Sequence, residues 1–194
     1  GKTMMAERLP SLLPDLKIDQ ALETTAVVSV AGNRRITEGS LLLRPPFEAP
    51  HHTASVSSLV GGGLGTPRPG LISLANNGVL FLDEAPEFMK PVLEALRQPL
   101  ESGEVVINRS AGTAKFPARF QLVLAANPCP CGNAIGTAKS CRCSEQQKSK
   151  YLAKLSGPLL DRVDIRLQIQ AVSPAQMAIA RGNANSENGV SRRS

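Results

Sequence analysis

Aromatic residues are scarce in this sequence of 194 residues, which has no tryptophan, one tyrosine and five phenylalanines. Aromatic stacking on bases is therefore not expected to dominate any binding of single-stranded nucleic acid. The sequence also lacks an apolar run long enough to span a membrane, and its amino terminus lacks the layout of a signal peptide. We therefore expect no membrane partner and a cytoplasmic location.

The rest of the composition is that of a globular protein with a mild positive charge. Hydrophobic residues make up 42% of the chain and charged residues 20%, which suits one good-sized domain with a sizeable core. Lysine and arginine number 22 against 16 acidic residues, for a net charge of +6 at pH 7. This charge permits a polyanionic partner but does not identify one, because most mildly basic proteins bind none.

The strand signals predict an α/β protein without internal repeats. The apolar runs 79–83 and 120–126 are typical of buried parallel strands, and 165–170 is predicted as a third strand. Residues 104–109 and 113–119 predict a β-hairpin around a short Ser-Ala-Gly turn.

Helical patterns separate these strands. The predicted helices are 3–13, cut by Pro10; 19–31, capped by Asp19; 87–102, bent or interrupted by Pro91 and Pro99; a segment near 144–155; and 175–181. Residues 44–70 are predicted as loop, and the last dozen residues as disordered or truncated.

The chain begins with Gly1-Lys2-Thr3, which matches the end of a phosphate-binding loop. In such a loop the lysine reaches the β- and γ-phosphates, and the hydroxyl binds Mg²⁺. The tripeptide alone is nearly uninformative. The run 79–83, however, ends on Asp83 and is followed by Glu84, which can place one carboxylate on the metal and the next beside the γ-phosphate. The alternative is a buried strand whose acids cap the following helix. The two motifs together, in this order, favour a nucleotide site.

Two further polar residues follow predicted elements. Asn127 comes after the run 120–126, at the end of a strand where open α/β sheets bind ligands, and can hold a water or the γ-phosphate. Arg162 precedes the predicted strand 165–170 and can stabilise charge that develops during phosphoryl transfer. The alternatives are a turn former before Pro128 for Asn127, and a salt bridge to Asp161 or Asp164 for Arg162.

The four cysteines form two pairs, Cys129 with Cys131 and Cys141 with Cys143, separated by nine residues. Clustered cysteines in a cytosolic protein are more often a metal site than disulfides. Two thiolate pairs can close a tetrahedral Zn²⁺ site, which would be structural because no coordination position stays open. Because the C-x-C spacing is less specific than C-x-x-C, reduced thiols or a redox pair remain alternatives.

Taken together, these motifs resemble the magnesium-chelatase-like competence family of AAA+ ATPases, the ComM/YifB group. The resemblance runs through the segments RPPFEAPHHTAS, LVGGG, PRPGLISLANNGVLFLDEAPEF, LRQPLESGEVVINRSAGTAKFPARFQLVLAANPCPCG and LSGPLLDRVD, and covers about residues 1–175. It implies a three-layer α/β fold of P-loop type, with a parallel core sheet, a β-hairpin insertion and a helix-2-type insert. It also implies ATP and Mg²⁺ as cofactors and a ring, expected to be hexameric.

The resemblance assigns roles to the residues singled out above. It implies that Gly1, Lys2 and Thr3 are the end of the Walker A motif and that Asp83 and Glu84 are the Walker B pair. Thr3 and Asp83 would bind Mg²⁺. Asn127 would be sensor 1, and Arg162 an arginine finger acting across the ring interface. The expected domains are an AAA+ core over 1–172 that lacks the start of the phosphate loop, and a truncated helical lid or tail over 173–194. The chain is thus expected to be a fragment, and its own nucleotide binding stays open.

The hairpin and the 44–70 insert carry basic groups. Arg109, Lys115 and Arg119 lie in or next to the predicted hairpin, and the insert contains Arg44, His51, His52 and Arg68. In the family's relatives such insertions project toward a central pore, where basic groups can track a phosphate backbone without sequence preference. The alternative is a solvated charged face. The adjacent histidines would point to opposite sides of a strand, so a shared metal ion is not expected.

Two functions of different classes fit these features. The first is a DNA-acting motor that couples ATP hydrolysis to translocation or branch migration during uptake and recombination of transforming DNA. The second is a chelatase-type ATPase that remodels a protein partner for Mg²⁺ insertion into a porphyrin. The paired cysteines, the APHHTAS segment and the basic hairpin favour the first.

Overall fold

The computed structural model describes residues 2–32, 39–63, 66–109, 112–133, 141–155 and 157–169. Its helices are α1 (Lys2–Ala6), α2 (Leu9–Leu12), α3 (Ile18–Val30), α4 (Val56–Val60), α5 (Leu71–Leu74), α6 (Lys90–Glu94), α7 (Arg97–Ser102), α8 (Glu145–Leu152) and α9 (Gly157–Leu160). Its strands are β1 (Phe47–Glu48), β2 (Gly61–Gly62), β3 (Arg68–Pro69), β4 (Val79–Leu82), β5 (Glu104–Arg109), β6 (Gly112–Pro117) and β7 (Gln121–Leu124), and a 3₁₀ turn spans Ala85–Glu87.

Three parallel strands form the central sheet, in the order β1-β4-β7. Every residue of β4 is buried, as its uninterrupted apolar sequence predicts. The register pairs Phe47 with Val79 and Leu82 with Leu124. Because all three strands run the same way, their carboxyl ends meet at one edge of the sheet, which we call the carboxyl edge.

Helices cover both faces of this sheet. Leu80 and Leu82 point into the larger core, which contains buried apolar side chains of α4, α5 and α6, with Leu100 of α7 packed against it. Phe81 points the other way, where it packs with Ala6 of α1 and stacks on Phe47 with ring centroids 6.1 Å apart. Burying each such large side chain contributes about 1.5–3 kcal/mol. The expected three-layer α/β fold of P-loop type is confirmed.

The β5–β6 hairpin is confirmed, and it is anchored at its base. Val105 and Ile107 are buried in the larger core. β6 ends at Pro117, so Arg119 lies below the hairpin rather than on it. There its backbone N–H donates to Oδ1 of the buried Asn76 (2.8 Å), and its carbonyl accepts from the N–H of Asn77 (2.6 Å).

The prediction of loop over residues 44–70 is wrong in part. This segment contains the core strand β1, helix α4 and the short antiparallel pair β2–β3. β1 has only two residues and follows a Pro-Pro pair, so it gives no periodic signal. It is placed by close approach instead, because a Cβ on Gly78 would lie 2.1 Å from the carbonyl oxygen of Pro46.

The predicted strand over 165–170 is also wrong for the residues that the structure describes. Residues 164–169 form no strand, and the side chains of Ile165 and Leu167 are 74% and 81% exposed. Alternation of apolar and polar residues is compatible with a strand, but a strand also needs a neighbour, and no described strand pairs with this segment.

Helix boundaries differ at three places from those expected. Asp19 lies inside the first turn of α3, and the N–H of Lys17 is capped by Oε1 of Gln20 at 3.1 Å. The helix predicted over 87–102 is interrupted rather than bent, since it is divided into the 3₁₀ turn, α6 and α7, and the first helix is divided into α1 and α2. The helix near 144–155 is confirmed as α8, whereas the helix predicted over 175–181 and the tail lie outside the described residues.

The described helices share one further property. None of them combines the length and the apolar character that crossing a membrane requires.

Candidate nucleotide-binding site

The carboxylate of Asp83 connects the carboxyl edge to helix α1. Asp83 follows β4 directly, and its Oδ2 accepts a hydrogen bond from the hydroxyl of Thr3 at 2.5 Å. Its Oδ1 accepts from the backbone N–H of Glu84 at 2.9 Å. Both oxygens of Asp83 are therefore oriented, one by α1 and one by the turn that follows the strand.

Lys2 lies next to the end of the neighbouring strand. Its ammonium donates to the carbonyl of Ala126 at 2.9 Å and to Oδ1 of Asn127 at 2.7 Å. Lys2 and Asn127 are 125 residues apart in sequence. They meet because Asn127 comes after β7, which pairs with β4, and because Ala85 and Ala125 are joined by an N–H···O bond of 2.8 Å.

Glu84 stands out by its backbone and by its exposure. It has φ 51° and ψ 42°, a left-handed conformation that is uncommon outside glycine. Holding such a residue costs about 1–3 kcal/mol, and residues of this kind cluster at functional sites. Its side chain is 50% exposed, so the carboxylate is open to a water or a ligand.

His52 is a neighbour of this carboxylate that sequence reasoning missed. Its Nδ1 lies 3.6 Å from Oε2 of Glu84. Residues 51 and 52 belong to a turn after β1, so the expectation that the two rings point to opposite sides is wrong: their centroids are 4.1 Å apart. The signal that could have found His52 is its position just beyond a core strand, but β1 itself was not recognised.

These side chains fit a nucleotide with its magnesium ion. The hydroxyl of Thr3 and the carboxylate of Asp83 offer adjacent hard oxygen atoms, which are the ligands that Mg²⁺ prefers. The ammonium of Lys2 offers three N–H donors for phosphate oxygens. Gly1 lies outside the described residues.

Arg162 does not join this group in the structure. It forms an ion pair with Glu101, which is 61 residues away, and its Nη1 donates to the carbonyl of Pro158 at 2.6 Å. The alternative expected from the sequence, an ion pair with Asp161 or Asp164, is therefore wrong. The contacts that the structure gives for Arg162 do not include any residue of the candidate nucleotide site.

The basic side chains near the hairpin already have acidic neighbours. Lys115 lies 3.2 Å from Glu104 across the hairpin, and both side chains are exposed. Arg119 lies 3.8 Å from Glu23 of α3, with its side chain 71% exposed. The side chain of Arg109 lies outside what the structure describes.

The four cysteines come together, as their pairing predicts. Their sulfur atoms all lie within 4.8 Å of one another, with separations of 3.3 Å between Cys129 and Cys131 and 3.7 Å from each of these to Cys141. All four are free thiols, and Cys129 is fully buried. This group can hold a metal ion.

The thiols of the cluster differ in acidity. A hydrogen bond with the backbone of Asn133 lowers the pKa of Cys131 to about 6, and the Cys129 thiol adds to that effect. For Cys143, a hydrogen bond with the backbone of Cys131 lowers the pKa, but the Cys131 side chain and burial outweigh it and raise the pKa to about 11. Cys131 therefore ionises more readily than Cys143, and a thiolate is the form that binds metal.

Comparison with known proteins agrees with the geometry. The family model described as "Magnesium chelatase, subunit ChlI" matches residues 1–177. The chain is 53% identical to "Competence protein ComM" of Haemophilus influenzae over 87% of its length, and 48% identical to "Uncharacterized protein YifB" of Escherichia coli over 90%. It covers 32% and 33% of those two proteins, so it spans about a third of their length.

A magnesium chelatase itself is a weaker match. The "Magnesium-chelatase 38 kDa subunit" of Cereibacter sphaeroides is 38% identical over 60 residues, which are 31% of this chain and 18% of that subunit. The chain therefore belongs to the magnesium chelatase-like family of AAA+ proteins, in the group that contains ComM and YifB.

Proposed function

We propose that the full-length protein is an ATPase that acts on DNA as a ring, expected to be hexameric, and translocates along DNA or moves branch points during transformation and recombination. The observation that carries the ATPase part is the convergence at the carboxyl edge. Side chains from α1 and from the ends of β4 and β7 meet there: Lys2, Thr3, Asp83, Glu84 and Asn127. A cytoplasmic location suits this activity, because ATP and reduced thiols are both found there.

Each side chain has a role that its position supports. Lys2 binds the β- and γ-phosphates, which requires it to leave its present acceptors on Ala126 and Asn127. Thr3 and Asp83 hold Mg²⁺, which neutralises the negative charge of the phosphates. Glu84 polarises the attacking water, since its carboxylate is exposed at the same edge.

The remaining two roles concern orientation and the ring. Asn127 lies beside the ammonium of Lys2, where its amide can orient the water or the γ-phosphate. Arg162 lies apart from its own subunit's site, which suits a group that reaches the nucleotide of a neighbouring subunit.

DNA is proposed as the partner because of the relatives and the hairpin. A relative that is 53% identical is named "Competence protein ComM", and competence is the capacity of a cell to take up DNA. The hairpin carries Arg109 and Lys115, with Arg119 at its base, and basic side chains can bind a phosphate backbone without reading bases.

A chelatase-type remodeller of a protein partner is the second candidate. It is favoured by the family description and by the 60-residue match to a magnesium chelatase subunit. That match covers only 31% of the chain, compared with 87% for ComM. We therefore place it second.

We further propose that the metal of the cysteine cluster is a structural Zn²⁺ ion. With zinc–sulfur bonds of about 2.3 Å, sulfurs at the corners of a tetrahedron lie about 3.8 Å apart. The separations of 3.3–3.7 Å among Cys129, Cys131 and Cys141 are close to that value. All four sulfurs lie within 4.8 Å of one another, which suits a single ion rather than an iron–sulfur cluster, because cysteines bound to different irons of a cluster lie farther apart.

The test of the proposed activity is the steady-state ATPase rate of the full-length protein, alone and with single-stranded or four-way-junction DNA. We expect ATP turnover that DNA stimulates. Turnover that no DNA changes would move the assignment to the protein remodeller. Absence of turnover under all conditions would contradict the ATPase itself.

A further inference from the structure

We propose that the metal held by the four cysteines fastens helix α8 to the nucleotide site, so that metal occupancy controls the order of α8 and of the segment that carries Glu84. The inference rests on the proposed metal and on the location of the nucleotide site, but it does not require hydrolysis. Three links, each formed by described residues, connect the cluster to that site.

The first link joins the first cysteine pair to Asn127. Cys129 is only two residues beyond Asn127 and is fully buried. Its carbonyl accepts from the N–H of Gly132 at 3.0 Å, which closes a turn over the pair. A Cβ on Gly132 would lie 4.0 Å from Nδ2 of Asn127, so this turn packs against the Asn127 amide.

The second link joins the second cysteine pair to α8. Cys143 directly precedes Ser144, the N-cap residue of the helix. Ser144 Oγ accepts from the N–H of Gln147 at 3.2 Å, and Gln147 Oε1 accepts from the N–H of Ser144 at 2.8 Å. A metal bound to both pairs therefore ties the first turn of α8 to the turn beside Asn127.

The third link runs from the end of α8 back to Glu84. Tyr151 is buried, and Lys154 just beyond the helix lies 3.7 Å from Glu87 and 5.5 Å from the centre of the Tyr151 ring. Burial, followed by the carboxylate of Glu87, raises the pKa of Tyr151 to about 12. The N–H of Glu87 donates to the carbonyl of Glu84 at 2.7 Å.

α8 has little else to hold it in place. It has eight residues, of which only Tyr151 is buried; Leu152 is exposed, and the other six residues are polar. Helices shorter than about 12–15 residues are marginal in water by themselves. Since its other fixed end is the cysteine cluster, release of the metal leaves α8 attached only at its carboxyl-terminal end, through Tyr151, Lys154 and the core residue Leu155.

Binding of the ion is coupled to protonation and to folding. Each thiol that coordinates loses its proton, and four thiolates with one Zn²⁺ ion carry a net charge of −2. The ammonium of Lys148, which faces Glu145 at 2.7 Å, also lies within the field of Cys141 and Cys129 and offsets part of that charge.

The test compares two substitutions in the cysteine region of the full-length protein. Cys131→Ser removes an exposed ligand, so it leaves no cavity. Arg142→Ser introduces the same residue at an exposed position between Cys141 and Cys143, and keeps all four sulfurs. Zinc per chain is measured by elemental mass spectrometry, and amide hydrogen exchange is followed over residues 84–88 and 145–152 without nucleotide.

We expect about one zinc per chain in the wild type and in Arg142→Ser, and a loss of most of it in Cys131→Ser. In Cys131→Ser, exchange over both segments should be at least about tenfold faster, because local opening no longer has to break the metal bonds. Chelator treatment of the wild type should have the same effect, and added zinc should reverse it. This arm keeps the test valid if Cys131→Ser fails to fold.

Two results would overturn the proposal. One is a purified protein without metal, or with its cysteines joined as disulfides. The other is bound zinc whose removal leaves the exchange of both segments unchanged. Faster exchange on zinc loss in a protein that never hydrolyses ATP would support the metal link and contradict only the proposed activity.

Discussion

At Glu84 the chain turns out of the buried strand β4 in a left-handed conformation, with the side chain exposed beside Asp83. We expect Glu84→Gln to lower ATP turnover by about 10²–10⁴-fold, because glutamine cannot accept the proton of the attacking water. ATP affinity should be retained, since Lys2, Thr3 and Asp83 are unchanged. Phosphate release and equilibrium binding of labelled ATP measure the two effects.

Glu94→Gln is the matched control for loss of one carboxylate. Glu94 pairs with Arg97 one turn along the surface, at 2.6 Å, and such pairs contribute at most about 1 kcal/mol to stability. Its turnover should equal that of the wild type. Full turnover in Glu84→Gln would remove Glu84 from the catalytic role.

His52 is expected to position the Glu84 carboxylate rather than to touch the nucleotide. Its Nδ1 is 3.6 Å from Glu84, and its ring lies against that of His51. We expect His52→Ala to lower kcat by up to about tenfold with little change in KM, since misplacing a catalytic group mainly affects the transition state. His52→Gln should recover part of the rate.

His51→Ala serves as the comparison for this pair, because the side chain of His51 bonds to Thr53 at 2.9 Å rather than to Glu84. A similar loss of kcat in both alanine variants would mean that the turn, and not the contact with Glu84, matters.

The residues at the carboxyl edge were predictable to different degrees. Asp83, Glu84 and Asn127 follow apolar runs that are readable as parallel strands, and the ends of such strands lie together. His52 follows a strand of two residues that has no pattern of its own. The contact between Arg162 and Glu101 was not predictable, because it depends on how α7 and α9 pack in space.

Among the secondary-structure elements, the β5–β6 hairpin is the one proposed to meet DNA. Lys115 is its described basic side chain, and Glu104 lies 3.2 Å away across the strands. We expect Lys115→Gln to weaken DNA binding equally for all sequences, and to reduce the slope of log K against log salt by about one. Fluorescence anisotropy over a salt series measures both.

Glu104→Gln provides the opposite change at the same ion pair. It removes the acidic neighbour of Lys115 and leaves the backbone pairing of Glu104 with Pro117 unchanged. DNA affinity should therefore rise. If the two variants bind DNA with the affinity and salt dependence of the wild type, this face of the hairpin is only a solvated surface.

Elements were predictable where local sequence decides them. β4 and β7 are apolar runs, and the hairpin has two extended segments around a short turn, so all three were found. Residues 165–169 have a similar local pattern, but a strand forms only with a hydrogen-bonded neighbour, and sequence alone does not supply that information. β1 was not predicted for the same reason, because it is a strand only through its pairing with β4.

At the scale of the whole molecule, the position of Arg162 matters most. The chain holds Lys2, Thr3, Asp83, Glu84 and Asn127 in one group and Arg162 in another, paired with Glu101. In a closed ring each interface is formed by two different surfaces of neighbouring subunits. One subunit can then provide the nucleotide site, and the next can provide the arginine.

Mixing two inactive variants tests this arrangement directly. Arg162→Ala keeps an intact site but lacks the arginine, whereas Glu84→Gln keeps the arginine but lacks the catalytic carboxylate. In an equal mixture that assembles at random, about a quarter of the interfaces join an intact site to an intact arginine, so about a quarter of the wild-type ATPase rate should return. If Arg162 acts only within its own subunit, or only through its ion pair with Glu101, the mixture will be no more active than its components. Glu101→Gln tests the role of the ion pair by itself, because it breaks the pair and leaves Arg162 free to reach a neighbouring subunit. We expect this variant to keep the ATP turnover of the wild type.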